Sequence, residues 1–158
     1  MTSRQAALMS ACRTCELLER RDTGEAPLWD CIVRTPGWDV VHCDDSAIEG
    51  WMVLVVRRHI TSVADLTEAE AAELGLLLKD VSRALQEVIG CPKTYVVQFA
   101  EHPLHPHVHV HVIPRAADLP DEQRGPGIFS RLGVGEGRRV PEARMDEIAA
   151  AIQRALAP

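Results

Sequence analysis

Apolar residues recur along the chain in short runs that predict β-strands. Residues 28–34 and 38–43 are two such runs, and the Pro-Gly pair between them predicts a hairpin. Residues 51–56 form a continuous apolar run, which is typical of a buried central strand. Residues 95–99 form another β-rich run, and a short connection joins it to residues 107–113, where histidine alternates with valine and isoleucine follows. Two consecutive strands joined in this way are expected to pair antiparallel.

Two longer segments have the apolar spacing of amphipathic helices. The first begins after Thr67, because Thr67 and Glu70 have the spacing of a capping box, and Gly90 ends it. The second begins near Pro141 and continues toward the C-terminus. The pattern therefore predicts an α+β domain: an antiparallel sheet of about five strands with one long central helix and a C-terminal helix.

Length and composition suit one globular domain. The chain has 158 residues, of which 46% are apolar and 25% are charged. We expect a single domain over residues 1–158, with a core at residues 12–115 and a C-terminal loop and helix at residues 116–158.

The net charge of −6 argues against a nucleic-acid partner. No apolar run reaches the ~20 residues of a membrane span, and no apolar signal core begins the sequence, so we expect a cytoplasmic protein without a membrane partner.

The alternating run places three histidines on one face of its strand. Side chains along a strand point alternately to opposite faces, so His107, His109 and His111 form a row while the valines face the core. Pro114 cannot donate to a ladder, and the strand is predicted to end there. A neutral imidazole nitrogen can attack phosphorus and leave again, and histidine also binds metals. The row is therefore a candidate catalytic site.

The row also resembles the histidine triad (HIT) motif, in which three histidines alternate with apolar residues. It reads His107-Val108-His109-Val110-His111-Val112-Ile113, followed by Pro114-Arg115. A frame that begins at His105 would put His111 in an apolar position, so we favour the frame that begins at His107. Residues 50–59 are similar to the family's stretch Gly-His-x-Leu-Val-Ile-Pro-Lys-x-His, although Trp51 replaces its first histidine. His59 matches its last histidine.

The resemblance implies a HIT-like fold, usually a homodimer, and a reaction at a nucleotide. By position in the motif, His109 would be the nucleophile that takes a nucleoside monophosphoryl group. His111 would contact the α-phosphate, and His107 would orient the nucleophile or bind metal. The implied reaction is cleavage at a nucleotide α-phosphate through a nucleotidyl-histidine intermediate, which water or another acceptor releases. Nucleoside phosphoramidates and dinucleoside polyphosphates are the implied substrate classes.

Candidate substrate contacts lie outside the row. The acidic residue that usually meets the ribose in this family would fall among residues 43–45, and Asp44 is our candidate. The family's Gly-Gln-Ser-type phosphate segment is replaced here by residues 101–104, and Gln98 could take over part of its polar role. His105 lies close enough to the row to touch a substrate.

Cys12 and Cys15 have the spacing at which two thiolates grip one tetrahedral zinc ion. Five cysteines are an odd number, and in a cytosolic chain they favour free thiols or metal ligands over disulfides. A redox pair is the alternative for an isolated Cys-x-x-Cys. Some HIT proteins and related nucleotidylyltransferases combine such a pair with histidines that match His59 and His107. The resemblance thus implies a structural Zn²⁺ held by Cys12, Cys15, His59 and His107.

The main hypothesis is a HIT-type phosphohydrolase or nucleotidyltransferase, and two alternatives stay open. A transferase like galactose-1-phosphate uridylyltransferase uses a His-Pro-His sequence, which would make His107 the nucleophile. The second alternative is a non-catalytic nucleotide- or zinc-binding module, because the family's phosphate-contact segment is replaced in this chain. Trp51 is expected in the core and His42 on the surface or in a loop, while Arg57 and Arg58 could contact phosphates.

Overall fold

The computed structural model describes residues 12–157, and its centre is a five-stranded antiparallel sheet. The strands are β1 (Val33–Arg34), β2 (Trp38–His42), β3 (Met52–Val56), β4 (Lys93–Val97) and β5 (His109–Arg115). Their order across the sheet is β1-β2-β3-β5-β4, with every neighbouring pair antiparallel. The predicted α+β class and the predicted pairing of β4 with β5 are confirmed.

In the described part of the chain, three α-helices accompany the sheet: α1 (Arg13–Asp22), α2 (Glu68–Ile89) and α3 (Glu142–Leu156). The capping box predicted for α2 is present, because the Thr67 hydroxyl accepts from the Glu70 N–H and the Glu70 carboxylate accepts from the Thr67 N–H. The helix ends at Gly90, whose φ of 76° is left-handed. Short 3₁₀ segments occupy Leu28–Asp30, Val63–Asp65, Asp121–Gln123, Gly125–Arg131 and Glu136–Arg138. Within residues 12–157, no helix combines the length and apolar character needed to cross a membrane.

The strand predicted over residues 28–34 is wrong for most of its length. Its first part is the 3₁₀ segment Leu28–Asp30, and only Val33–Arg34 pairs with β2. The Trp29 N–H donates to the Asp146 carboxylate, and the buried Asp30 carboxylate accepts two hydrogen bonds from Arg21. These contacts lie outside the sheet, so they hold the segment away from it.

The strand predicted to end at Pro114 continues to Arg115 and begins later than predicted. Pro114 pairs with Thr94 of β4, whereas the pairing of β5 with β3 stops at Val112. Beyond Val112, β5 has a neighbour on one side only, and a proline can be accommodated there. At the other end β5 begins at His109, so His107 precedes the strand.

The two faces of the sheet have separate cores. On one face, alternate residues of β2, β3 and β5 pack against α2 and α3; this cluster includes Val40, Leu54, Val110, Val112, Leu85, Ile148 and Ile152. On the other face, Val53 of β3 lies opposite His111 and Val55 lies opposite His109. Because alternate side chains share a face, this register places the two histidines beside the two valines, on the face opposite α2 and α3. The candidate functional site is on that face.

Candidate functional site

A cavity of about 710 Å³ lies over the histidine face of the sheet. Val41, Val53 and Val55 line it from the strands, and His109 and His111 line it from β5. Its other walls come from α1, from residues 99–105 and from residues 129–132. The cavity therefore combines an apolar floor with imidazoles, and its volume is in the usual range for small-molecule sites.

The His109 ring has one defined neutral tautomer. Its Nδ1 lies 2.7 Å from the backbone oxygen of His107. A carbonyl oxygen can only accept, so Nδ1 carries the proton and Nε2 keeps a free lone pair. Burial lowers the pKa of His109, which favours the neutral ring. A neutral imidazole with an unprotonated Nε2 has the form that a nucleophile needs.

The His111 ring has the opposite tautomer. The indole N–H of Trp51 donates to its Nδ1 over 3.0 Å, so Nδ1 is the acceptor and Nε2 carries the proton. Burial, with a contribution from His109, lowers the pKa of His111 to about 4. His111 is thus a neutral hydrogen-bond donor at the cavity. Trp51 is fully buried, in agreement with its expected core position.

His107 is fully buried and does not line the cavity. Its Nε2 donates to the backbone oxygen of Val56 over 2.6 Å. Its Nδ1 lies 3.7 Å from the Cys12 sulfur and 3.6 Å from the Cys15 sulfur. The row predicted from the sequence therefore divides into two histidines at the cavity and one at a thiol cluster.

Cys12, Cys15, His59 and His107 form that cluster, with one ligand atom from each residue and all of these atoms within 4.8 Å of one another. The Cys15 sulfur lies 3.3 Å from Nδ1 of His59. Zinc binds sulfur at about 2.3 Å and imidazole nitrogen at about 2.0–2.1 Å, so ligand atoms on a tetrahedron lie roughly 3.3–3.8 Å apart. The sulfur–nitrogen distances fit this geometry, and the donor set is one that zinc prefers.

A bound divalent cation would change the protonation of the cluster. Burial raises the pKa of the Cys15 thiol to about 12, and the neighbouring Cys12 adds to the shift. A divalent cation reverses this preference, because a coordinating thiol is deprotonated. The bond from His107 Nε2 to Val56 leaves Nδ1 as the lone-pair nitrogen facing the thiols. Such an outer hydrogen bond is a common support for a histidine ligand.

The structure brings two of the three predicted substrate contacts to the cavity. Asp44 and His105 line it, and Nδ1 of His105 lies 2.9 Å from the Thr14 hydroxyl. Gln98 does not line it, because the chain leaves β4 at Val97 and Phe99 is the next residue that reaches the cavity.

Structural partners hold the side chains of Arg57, Arg58 and His42. Arg57 pairs with Asp39 and Asp22, and Arg58 pairs with Glu70, so neither arginine is at the cavity. His42, expected on the surface or in a loop, is 1% exposed. Its Nδ1 donates to the Cys43 oxygen and its Nε2 accepts from the Gly50 N–H. It alternates with Trp38 and Val40 in β2, and that alternation was the signal for burial.

The sequence did not reveal several cavity residues. Leu17 of α1, Trp29, and Phe129 and Leu132 of the C-terminal loop all line it. Phe129 makes edge contacts with both Trp51 and His111, at centroid distances of 5.6 and 5.9 Å. These residues carry no motif, and long-range packing alone brings them together.

The HIT domain model matches residues 30–118, which is more than half of the chain. The chain belongs to the HIT family. No curated protein matches this HIT protein significantly. The matched residues contain β1 to β5 and all three triad histidines, while Cys12 and Cys15 lie outside them.

Solved HIT structures share the fold. A histidine triad protein from Bradyrhizobium japonicum is 25% identical, with a TM-score of 0.66 over 80% of this chain and 90% of that chain. A Zn-bound histidine triad family protein from Mycobacterium smegmatis is 17% identical, with a TM-score of 0.64 over 94% of each chain. A Hit-like protein involved in cell-cycle regulation from Bartonella henselae, solved with an unknown ligand, is 15% identical, with a TM-score of 0.65 over 86% of this chain and 92% of that chain.

Proposed function

We propose that this HIT protein is a nucleotide phosphohydrolase or nucleotidyltransferase that cleaves at a nucleotide α-phosphate, with His109 as its nucleophile. The observation that supports this most directly is the bond from His109 Nδ1 to the His107 oxygen. It leaves an unprotonated Nε2 on a ring that lines the cavity. Nucleoside phosphoramidates and dinucleoside polyphosphates are the substrate classes that we favour.

The proposed reaction has two displacements. The Nε2 lone pair of His109 forms a bond to the α-phosphorus, and the bond to the leaving oxygen or nitrogen breaks with its electron pair. That leaving atom then takes a proton from solvent. Water or another hydroxyl acceptor then attacks the nucleotidyl-histidine and releases its proton to solvent. The phosphorus–nitrogen bond breaks, and the electron pair returns to Nε2. Covalent catalysis of this type divides one difficult step into two easier ones.

His111 would bind the phosphoryl group during both displacements. Its protonated Nε2 can donate to a non-bridging oxygen, whose negative charge grows in the transition state. Because Trp51 holds Nδ1 as an acceptor, His111 serves as a donor and the neighbouring His109 as an attacking group. The two rings are 5.0 Å apart between centroids, so one phosphoryl group can reach both.

The rest of the cavity suits a nucleoside. Val41 and Val53 offer an apolar surface to a base, and the exposed carboxylate of Asp44 can accept from ribose hydroxyls. His105, held by Thr14, is available to the phosphates or the leaving group.

A structural zinc ion is part of this proposal. Cys12, Cys15, His59 and His107 would hold it, and it would cross-link α1, the turn after β3 and the entry to β5. The Zn-bound relative from Mycobacterium smegmatis supports this assignment. The His107 ring faces the thiols, whereas its backbone oxygen faces His109, so the zinc would act on the fold and only indirectly on the reaction. The homodimer and the cytoplasmic location remain predictions.

The experiment is a search for the covalent intermediate. The protein is mixed with a panel of nucleoside phosphoramidates and dinucleoside polyphosphates, quenched in alkali, and measured by intact mass. We expect an adduct of one nucleoside monophosphate that maps to His109. His109→Gly should lose the adduct and turnover while keeping its far-UV circular dichroism, and free imidazole should restore part of the turnover by replacing the missing ring.

Other results would favour the alternatives. An adduct on His107 would favour the His-Pro-His frame of the galactose-1-phosphate uridylyltransferase type, although both nitrogens of that ring have partners here. Nucleotide binding with neither adduct nor product would favour a non-catalytic binding module.

A further inference from the structure

Trp51 lies directly before β3, and its side chain contacts His111 of the neighbouring strand β5. The residue is fully buried, and its indole N–H donates to Nδ1 of His111 over 3.0 Å. The two rings meet nearly at right angles, with an interplanar angle of 86° and centroids 5.7 Å apart. The contact is therefore a directed hydrogen bond between two buried rings, in addition to packing.

Hydrogen bonds of both its N–H and its oxygen fix the backbone of Trp51. Its N–H donates to the Ile48 oxygen, and its own oxygen accepts from the Cys43 N–H over 2.8 Å. Gly50 precedes it with a φ of +80°, and a Cβ added there would lie 2.8 Å from Cγ1 of Ile89. The turn therefore has little freedom, and the indole is aimed at His111 by the fold itself.

An indole nitrogen can donate but cannot accept. His111 Nδ1 must consequently be unprotonated for this bond to exist, and the single remaining neutral form carries its proton on Nε2. Rotation of the imidazole by half a turn would set a carbon against the indole N–H and lose the bond. Phe129 lies against both rings and restricts that rotation further.

We propose that Trp51 is a positioning residue that selects the tautomer and orientation of His111 and so keeps Nε2–H available to the cavity. The part that concerns catalysis rests on the proposed function, because it assigns the Nε2–H to a phosphoryl oxygen. The part that concerns the tautomer does not. A purely structural role would need only an apolar ring at this position, whereas the proposed role needs the N–H.

The first test measures the tautomer in the wild-type protein. Long-range ¹H–¹⁵N spectra of protein labelled at histidine distinguish a protonated Nδ1 from a protonated Nε2, and His111→Asn identifies the His111 signals by their loss. We expect Nε2 protonated and Nδ1 unprotonated across neutral pH. A protonated Nδ1 on His111 would overturn the proposal without reference to any activity.

The second test removes the N–H and keeps an aromatic ring. In Trp51→Phe we expect His111 to populate both tautomers and kcat to fall about tenfold or more, since a misplaced phosphoryl donor acts in the transition state. We expect KM to change much less. Trp51→His, which restores a ring N–H, should recover part of the lost kcat and the wild-type tautomer.

Trp38→Phe is the matched control. Trp38 is also fully buried, and its indole N–H donates to a backbone oxygen, that of Glu70, over 2.9 Å. Its substitution should destabilise the fold to a similar degree and leave the His111 tautomer and kcat unchanged. Equal losses of kcat in both variants, or an unchanged tautomer in Trp51→Phe, would overturn the proposal. If the wild-type protein has no turnover, the proposed function fails, and the tautomer measurements alone decide the role of Trp51.

Discussion

His109 and His111 are the same residue type on the same face of one strand, yet their hydrogen bonds give them opposite proton positions. His109 donates from Nδ1 to a carbonyl, and His111 accepts at Nδ1 from an indole. One ring consequently presents a lone pair at Nε2 and the other presents a proton. A pair of this kind can attack phosphorus and stabilise its oxygens without either ring being charged at the start.

The carboxylate of Asp44 leads to a further prediction about a single residue. If it accepts from a ribose hydroxyl, Asp44→Ala should lower kcat/KM roughly tenfold or more, the usual loss for a hydrogen bond to a charged group. The loss should appear mainly in KM, because the ribose is remote from the reacting bond. Matched ribose and 2′-deoxyribose substrates make the test specific: wild type should prefer ribose, and Asp44→Ala should lose most of that preference.

Asp118→Ala is the control for Asp44→Ala, because Asp118 is an exposed aspartate outside the cavity. This substitution makes the same change in net charge, and it should leave kcat/KM unchanged for both the ribose and the 2′-deoxyribose substrate. An unchanged ribose preference in Asp44→Ala would remove Asp44 from the ribose site. Asp45, which also lines the cavity, would then become the candidate.

At the scale of single elements, the capping box of α2 provides a stability prediction. Arg58 bonds to the Glu70 carboxylate, and with Thr67 it lowers the pKa of Glu70 from 4.5 to about 2. A carboxyl group whose pKa is lower in the folded chain than in the unfolded chain stabilises the fold at any pH above its unfolded pKa. This stabilisation is lost as the pH falls through its folded pKa. Glu70→Gln should therefore cost on the order of 1 kcal/mol at pH 7.

The cost of Glu70→Gln should shrink as the pH falls from about 4.5 toward 2, because protonated Glu70 has already lost the same charge. Urea unfolding at several pH values from neutral downward measures it. Glu68→Gln is the control, since Glu68 is an exposed acid in the same first turn. A cost for Glu70→Gln that does not change with pH would show that the ion pair with Arg58 contributes little.

The elements that could be predicted from the sequence are those with local signals. The capping box, the glycine after α2 and the valine alternation of β5 all act within a few residues, and each was found in the structure. The segment Leu28–Asp30 could not be predicted, because its partners lie outside it: Arg21 is nine residues from Asp30, and Asp146 is 117 residues from Trp29.

The candidate site likewise has a part that the sequence predicts and a part that depends on contacts between residues far apart in the chain. Cys12, Cys15, His59 and His107 were expected together from the family resemblance, and they cluster. The tautomer of His111 depends on Trp51, which is 60 residues away in the sequence. Phe129 also reaches the site from a loop without any motif. Nothing in the sequence around Trp51 predicts its bond to His111, and nothing local marks Phe129 as part of the cavity.

At the scale of the whole molecule, the cysteine–histidine cluster connects segments that are far apart in the sequence. Cys12 precedes α1, His59 follows β3 and His107 precedes β5. The N-terminal end of α1 is further attached through the Arg13 N–H, which donates to the oxygen of Leu104, between the cavity residues Pro103 and His105. Any ligand held by the four residues would therefore stabilise the fold and one wall of the cavity together.

Metal removal tests this connection. The purified protein should contain about one zinc ion per chain by atomic emission, as expected for a closed site of four ligands. A ligand that binds only the folded state adds roughly 4 kcal/mol of stability at a thousandfold excess over its Kd. Chelation should therefore lower the unfolding temperature clearly, and added zinc should restore it. Cys15→Ala should lose both the zinc and the response to chelator.

Cys31→Ala makes the same chemical change at a thiol outside the cluster, and it should keep the zinc and the chelator response. The effect on turnover then separates a structural from a catalytic metal. The ring of His107 faces the thiols, and only its backbone oxygen contacts His109. Well below the unfolding temperature, the chelated protein should consequently retain most of its turnover. A complete loss of turnover without any loss of stability would contradict the structural role, because it would require the metal to act on the substrate itself.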